Sequence, residues 1–552
     1  MAYDDLFPYL GEFGRYQRRI YFLLCLTAIS SAFHKLAGVF LQAKLSHRCR
    51  LPYEYPNATY HDIPESMFNM SYPWETGQKS WSSCRRLDAN FTEDYFAGNI
   101  PASASVKCDS WLYDTTFYKS STVKEWDLVC DNAWLRATGD SMFMLGDVLG
   151  SVTFGFLSDR YGRRPIFFVA LALQLVSGVL VAVSPGYIFF MIFRLLVGST
   201  ASGEFLIAYV IALEMVGPSK RVLAGVACQL FFTTGYILTA GFAYFITDWR
   251  MLQVALTVPA IGFLSYWWFL PESTRWLLAN GRPEEAKVFL LKAAKENKVI
   301  IPPDVLDGLV PEGEKEKVPL EPERKPSFFD LIRYPNLRKR ALNIFLNWFV
   351  NNSTYYGLSW NTSNLGGNDY LNFVISGAVE VPAYTFLILT LNRWGRKSIL
   401  CGCMLLGGAA LLLTLAVPIE LNWLTITLAM IGKLAVTASY GTIYVFTAEQ
   451  FPTVIRNVAL GASSTCARAG GITAPYINLL ADTWRSLPLL IFGVMITTGG
   501  LLALQLPETL NKKLPDTIQE GEKFGCKPKF EEEQHGRELE IVHKLGSKGS
   551  MA

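Results

Sequence analysis

The chain has 552 residues, 51% of them hydrophobic and only 18% charged, with 50 Lys+Arg against 47 Asp+Glu and a formal net charge of +3. An average soluble domain carries roughly 25% charged residues, and here the charge crowds into residues 44–135, 271–340 and 507–552, leaving long apolar stretches between. Such a balanced chain, with 14% aromatic residues, is neither a nucleic-acid binder, which shows a basic patch and a pI above about 9, nor a disordered polymer.

Residues 1–19 are polar, and the apolar run that follows is too long for the core of a cleavable signal peptide, so the first segment reads as a membrane span behind an N-terminal stretch on the cytoplasmic side. A span needs ~20 mostly apolar residues. Twelve segments qualify: 20–42, 137–157, 166–183, 187–216, 222–246 and 251–270, then 341–359, 371–391, 399–417, 423–446, 458–480 and 487–506. The fold class expected is therefore an all-α membrane protein of two six-span halves. Residues 43–136 form a large loop after span 1, 271–340 join the halves, and 507–552 are a tail. The short loops after spans 2, 4, 8 and 10 hold nine Lys and Arg residues, whereas the alternate loops hold only Arg250 and Arg485. The basic side faces the cytoplasm by the positive-inside rule, which puts both termini inside and the 43–136 loop outside.

That loop carries three glycosylation acceptor patterns, at Asn57, Asn69 and Asn90. It also holds Cys49, Cys84, Cys108 and Cys130, an even set that suggests two disulfides in any of three connectivities. The remaining cysteines, Cys25, Cys228, Cys401, Cys403, Cys466 and Cys526, read as small apolar residues.

The halves repeat one another. The Asp159-Arg160-Tyr-Gly-Arg163-Arg164 loop after span 2 returns as Asn392-Arg393-Trp-Gly-Arg396-Lys after span 8, with Arg160 and Arg393 separated by 233 residues. Glu214 and Arg221 after span 4 return as Glu449 and Arg456 after span 10, at an offset of 235. Pro271-Glu-Ser after span 6 returns as Pro507-Glu-Thr after span 12, at 236. A parallel repeat of six-span halves is the architecture of transporters that work by alternating access. The acids Asp159, Glu214 and Glu449 among the basic loop residues suggest ion pairs across the halves that hold an inner gate shut.

Those motifs, together with Pro-Glu-Ser-Thr-Arg-Trp-Leu at 271–277 and Glu-Gln-Phe-Pro-Thr-Val-Ile-Arg-Asn at 449–457, resemble the organic cation/carnitine/organic anion transporter family of the major facilitator superfamily. The likeness covers the whole chain and is nearest to invertebrate organic cation transporter-like proteins and the carnitine branch. It implies a plasma-membrane secondary transporter, not an enzyme, with small organic ions as substrates, the bilayer as surroundings and sodium or a proton as candidate coupling ion. It leaves the oligomeric state open.

Ionisable residues inside spans are costly and mark functional sites. Lys35, Asp147, Arg194, Glu204, Glu380, Lys433 and Arg468 lie near mid-span, with His34 beside Lys35. Asp147 is twelve residues from Asp159 and Arg468 twelve from Arg456. At 1.5 Å per residue each lies ~18 Å in from the basic end, near the midplane, so the two can pair. Glu380 has similar depth. The resemblance implies that Glu380 meets a substrate ammonium and that Arg468 and Lys433 match the anion and carnitine branches, a combination suited to a zwitterion. Arginine binds a carboxylate bidentately. The family positions also implicate Trp348, Tyr355 and Tyr356 on span 7 and Gln229 and Phe232 on span 5, aromatic faces being able to hold a quaternary ammonium. Apolar or small residues are expected in the family at Asp147 and Glu204. Residues 284–298 read as an amphipathic helix, 302–326 as a flexible joint and the tail beyond 507 as disordered. The sequence contains neither an ATP-binding loop nor a zinc pattern, so cofactors and metals are not expected. Organic anion exchange is the rival within transport. A receptor or adhesion role for the glycosylated loop is the rival outside it.

Overall fold

The computed structural model describes residues 6–64, 67–75, 80–91, 95, 104–302, 305–306, 328–512, 514–515 and 517–525. Among them twelve long helical segments make two bundles. The first holds α1 (Arg15–Leu36, continued by Gly38–Leu41), α2 (Ala133–Tyr161), α3 (Arg163–Ala182), α4 (Tyr187–Glu214), α5 (Arg221–Phe245) and α6 (Trp249–Thr257, continued as a 3-10 helix over Val258–Trp268). The second holds α7 (Pro335–Trp360), α8 (Asp369–Ala378 and Glu380–Trp394), α9 (Arg396–Leu413), α10 (Asn422–Gln450), α11 (Arg456–Leu479) and α12 (Leu487–Ala503). Nine of these segments are both long and apolar enough to cross a membrane on composition alone. The exceptions have physical reasons. α7 carries Asn343, Asn347, Asn351 and Asn352, α11 is rich in small and polar residues around Arg468, and α12 is only 17 residues long. α7 buries its asparagines inside its own half, with Asn343 donating to the Leu502 carbonyl of α12 and Asn352 to the Ala467 carbonyl of α11, while α11 reaches the opposite half through Arg468.

Close helix crossings fix the bundle. A Cβ on Gly150 of α2 would overlap the carbonyl of Ser199 on α4, so the two backbones meet with nothing between them. Loop chemistry completes each half. Gly162 and Gly395 adopt φ of 109° and 90°, a left-handed region open to glycine, and so turn the chain sharply between α2 and α3 and between α8 and α9.

Among the described residues, the 43–136 loop is a small separate core with three antiparallel strand pairs. β1 (His47–Cys49) pairs with β6 (Trp111–Tyr113), β2 (Trp74–Glu75) with β3 (Ser80–Trp81), and β4 (Arg85–Leu87) with β5 (Ser105–Lys107). Its four cysteines bond as Cys49–Cys108 and Cys84–Cys130, which selects one of the three connectivities. Inside it the Arg48 guanidinium, 3% exposed, holds Glu54 through two nitrogens. Asn57, Asn69 and Asn90 are all exposed; Thr92, the last residue of the third acceptor pattern, lies outside the described residues.

At the basic end, helices Thr274–Ala279 and Pro283–Asn297 follow α6. Asn297 accepts from the Tyr16 amide at 2.9 Å, and Arg19 pairs with Glu296 at 2.8 Å, which docks the longer helix on α1. Most of the joint expected at 302–326 lies outside the described residues. The tail departs from expectation. Ile518–Lys523 is helical, and the Glu522 carboxylate accepts from the amides of Asn336 and Leu337 at 2.9 Å each. A carboxylate at a helix N-terminus satisfies orphan N–H groups and meets the positive end of the dipole, so this part of the tail folds back as the cap of α7. Residues 526–552, with Cys526, lie outside the described residues.

Candidate functional site

The mid-span charges gather where the two halves meet, in two linked clusters. In the first, Asp147 of α2 sits between two cations. Lys35 Nζ of α1 is 3.3 Å from Oδ1, and Arg468 Nε of α11 is 3.2 Å from Oδ2. The pair anticipated from equal depth is thus present, with Lys35 as a third member. Arg468 spends Nη1 on Ser464, while its Nη2 has no hydrogen-bond acceptor among the described residues. Its side chain keeps 22% of its surface exposed, so one edge of the guanidinium remains uncovered.

The second cluster is more completely buried. Lys433 of α10 is 3.1 Å from Glu380 of α8, and these side chains are 1% and 0% exposed. Tyr355 donates to Glu380 Oε1 at 2.6 Å and Thr233 of α5 to Oε2 at 2.9 Å. Lys433 donates to Ser359 Oγ at 2.6 Å and lies 3.3 Å from the Tyr355 ring centroid. This corrects the expectation for Glu380. Its carboxylate is enclosed by a lysine, a phenol and a hydroxyl, and does not face a cavity as a free counter-charge. Tyr355 and Tyr356 join the clusters: their rings meet edge-on at 5.0 Å, and Lys35 stands 5.3 Å from the Tyr356 centroid.

The aromatic wall is completed by residues the sequence reading passed over. Tyr440 stacks on Tyr355 at 5.5 Å, Tyr444 meets Trp348 at 4.3 Å, and Tyr444 is 47% exposed. Their signal was available, since both lie on the Lys433 helix one turn apart, but 14% aromatic content hides a few functional rings among many packing ones. Trp348 is 1% exposed, with Nε1 donating to Thr447 at 2.8 Å. It therefore backs the wall rather than lining it. Phe232 is buried edge-on to Phe205 at 6.5 Å, and Gln229 is half-buried on α5; among the described residues neither side chain hydrogen-bonds to the two charge clusters.

Three of the expected intramembrane residues belong elsewhere. Arg194 pairs with Asp140, another acid missed in the sequence, at 3.3 Å inside the first half. Beside that pair, His34 is wholly buried, its carbonyl accepting from Arg194 at 3.3 Å and its ring nitrogens without hydrogen bonds. It points into the first half and not to Asp147. Glu204 is likewise buried within the first half.

The loop motifs are paired, but not as expected. Arg163 pairs with Asp159 one turn back and lies 3.6 Å from Glu214, and Arg396 lies 3.2 Å from Glu449. Each of these contacts stays inside its own half. The reason is geometric: α4 and α10 end beside the turn that follows α2 and α8 in the same bundle. Glu272 and Glu508 then close each knot. Glu272 accepts from the amides of Arg163 and Arg164 at 3.0 and 3.2 Å, and Glu508 from Arg396 and Lys397 at 3.0 and 3.1 Å. Ser273 donates to Glu214, and Thr509 to Glu449. Burial pushes the Glu272 carboxyl above its ordinary range and outweighs its amide donors. At Glu508 burial acts the same way, but amide donors from Leu510, Thr509, Arg396 and Lys397 overcome it and hold the carboxyl below that range. Arg160 and Arg393 are exposed; Arg164 covers Trp267 at 4.8 Å, Arg221 donates to the Val216 carbonyl at 3.1 Å, and Arg456 to Thr453 at 3.4 Å.

At the opposite end, beside the disulfide loop, contacts do cross between the halves. Lys44 and Arg136 both pair with Asp482, the latter at 3.8 Å. Thr138 and Tyr476 hydroxyls meet at 3.1 Å, and Ser141 donates to the Ile472 carbonyl at 2.8 Å. A cavity of about 50 Å³ lies under this latch, lined in part by Lys44, Arg136, Asp140 and Asn478. The bundle is closed at the loop-domain end.

Comparison with known proteins agrees with this architecture. Residues 103–519 match the model of the family described as Sugar (and other) transporter. An organic cation transporter protein of Drosophila melanogaster is 57% identical over 533 residues, covering 96% of both chains. The human organic cation/carnitine transporter 2 is 36% identical over 532 residues, covering 94% of this chain and 93% of its own. The chain belongs to the organic cation/carnitine transporter family of the major facilitator superfamily. A second Drosophila relative, an organic cation transporter-like protein, is 52% identical over 562 residues, covering 100% of this chain and 98% of its own. The fold also matches the proton:xylose symporter XylE, with a TM-score of 0.56 at 18% identity over 92% of this chain and 98% of that one. As a family member the chain is a multi-pass membrane transporter of the alternating-access type, and its paired halves meet at the two charge clusters.

Proposed function

We propose that this transporter carries organic cations and carnitine-like zwitterions across the plasma membrane, with both termini cytoplasmic and the disulfide-bonded, glycosylated loop outside. One observation carries the reading. Arg468, 22% exposed, lies within electrostatic reach of Tyr440 and Tyr444, Tyr356 stands against its partner cation Lys35, and the halves are latched at the loop-domain end. The guanidinium edge suits a carboxylate and the rings suit a quaternary ammonium, each ring contributing ~0.5–2 kcal/mol. Ammonium recognition then rests on the rings, because Glu380 is spent on Lys433, Tyr355 and Thr233. The names of the relatives, organic cation transporter protein and organic cation/carnitine transporter 2, support the same substrate class.

The loop residues Asp159, Arg163, Glu214, Arg396 and Glu449 act in this reading as clips that keep each half rigid, while the Asp482 pairs act as the outer latch. Organic anion exchange has one observation in its favour. Lys35, Arg468 and Lys433 outnumber Asp147 and Glu380 by one positive charge. Uptake of labelled tetraethylammonium, carnitine and an aromatic carboxylate into proteoliposomes, with the voltage clamped, separates these cases. Carnitine and tetraethylammonium uptake with little carboxylate uptake is expected, and R468A should lose carnitine more than tetraethylammonium. Uptake of the carboxylate alone would overturn the proposal in favour of the anion reading.

A further inference from the structure

The first half contains an acid that neither charge cluster uses. Glu204 of α4 is fully buried, and neither carboxyl oxygen has a hydrogen-bond partner. Gln174 of α3 is the polar side chain that bears on it. Gln174 Nε2 donates to Ser30 Oγ of α1 at 3.2 Å, and its Oε1 is also buried without a partner. Among the described residues, one packed region between α1, α3 and α4 therefore holds three acceptor atoms without a well-formed hydrogen bond, and the amide nearest to them is already given to Ser30.

Charges on the surrounding helices are committed elsewhere. On α1, Lys35 is held by Asp147, and His34 lies against Arg194. On α2, Asp147 faces Lys35 and Arg468, and Asp140 faces Arg194. Arg194 is the mid-span cation of α4 itself. α3 offers Gln174, α5 offers Gln229 at mid-span, and α6 offers Tyr266, whose hydroxyl feels the Glu204 carboxyl. Among the described residues no Lys, Arg or His forms an ion pair with Glu204. A buried carboxylate without a counter-charge, approached only by a neutral amide already bonded to Ser30, is too costly to persist, and such a group takes up a proton instead. Protonation turns the acid from a pure acceptor into a donor, which supplies the missing hydrogen bond.

We propose that Glu204 is a neutral carboxylic acid in this loop-end-closed state and carries the proton that couples solute movement to a proton gradient. The step forms one O–H bond with a proton drawn from water on one side of the membrane. It breaks that bond to water on the other side, with no redox change. The link to the solute site is short. Ser202, two residues before Glu204, faces the Asp147 carboxylate, and Ser30 lies on the same helix as Lys35. α1 and α4 thus each carry both a member of the proton region and a residue of the central cluster, so rocking of the halves disturbs the two together. This inference rests on the transport reading above for its coupling, but not for the protonation state.

Two measurements test it. Infrared difference spectra of purified wild type against E204Q at neutral pH should show the carbonyl stretch of a protonated carboxylic acid, shifted in D2O and lost in the variant. Its absence would overturn the proposal whatever the protein transports. In proteoliposomes loaded for carnitine or tetraethylammonium uptake, a one-unit pH gradient should drive accumulation approaching tenfold for one proton per solute, since a pH unit is worth a factor of ten. E204Q, which mimics the protonated acid, should keep solute counterflow, showing that it is folded, and lose the response to the gradient. Wild-type uptake that ignores the pH gradient would refute the proposal, as would an E204Q that still responds to it. A sodium-driven uptake abolished by E204Q would also refute it, assigning the region to a metal cation. Failure of both solutes to be carried would sink the transport reading, and the infrared band would still decide the state of Glu204.

Discussion

Neutralising Asp147 removes the one negative charge between two cations. At 3.3 and 3.2 Å each contact is worth about 5 kcal/mol by Coulomb's law at an effective dielectric of 20. The carboxylate is 9% exposed, so little of this is screened by water, but part of it only offsets desolvation. Breaking a buried pair by deleting one partner costs about 3–5 kcal/mol. D147N should lose that much, because Lys35 and Arg468 are then left facing each other uncompensated. R468A alone should lose only about 1–2 kcal/mol, since Asp147 keeps Lys35 and the arginine is partly exposed. The double variant D147N/R468A removes the repulsion along with the pair and should be no less stable than D147N. The coupling from the full cycle is then at least the R468A loss, about 1–2 kcal/mol, within the range for residues in contact. Equilibrium unfolding in mixed micelles with increasing dodecyl sulfate gives all four values. Additivity of the two single losses to within about 0.5 kcal/mol would refute the pairing and, with it, the central cluster as described.

The enclosed pair gives a second expectation. K433M should be more damaging than R468A, because it strands Glu380 at 0% exposure, and K433M/E380Q should recover stability in the same unfolding assay. The pseudo-equivalent glutamates should respond oppositely to pH. Glu508 is held below its ordinary range, so its contribution is present at neutral pH and lost as pH falls through that lowered value. Glu272 is raised, so its favourable contribution is present at low pH and lost as pH rises through the raised value. E508Q should thus destabilise at neutral pH more than E272Q, with the difference shrinking in acid; equal melting shifts at both pH values would count against it. Replacing Cys49 and Cys108 together with serine opens a loop of separation 59, which the chain-entropy relation values at about 4 kcal/mol. Limited proteolysis should then cut the loop domain while leaving the helical bundle intact. Finally, truncation before Glu522 should uncap α7 at a cost of about 1 kcal/mol, read from hydrogen exchange at the amides of Asn336 and Leu337.

Much of this protein is written in one dimension. Apolar runs of bilayer length, the alternation of basic loops and the motif pairs at offsets of 233 to 236 follow from what a lipid environment demands of any single helix. They therefore point to the twelve segments, the two halves and the family without reference to packing. Depth is also linear in sequence, because a helix rises a fixed distance per residue; that is why Asp147 and Arg468 could be matched before their contact was seen. Direction around the helix axis, and which neighbour fills the space, are not linear. Glu380 and Asp147 have similar depth, yet one is sealed behind Lys433, Tyr355 and Thr233 while the other meets an open-edged arginine. The loop acids carry the charge needed to bridge the halves, but helix ends place Glu214 and Glu449 beside turns of their own bundle. Arg194 chose Asp140 and not the centre, and the four loop cysteines chose one pattern of three. Each of these outcomes depends on contacts between residues far apart in the chain, set by helix rotation and by which backbones can approach, and only the folded arrangement decides them.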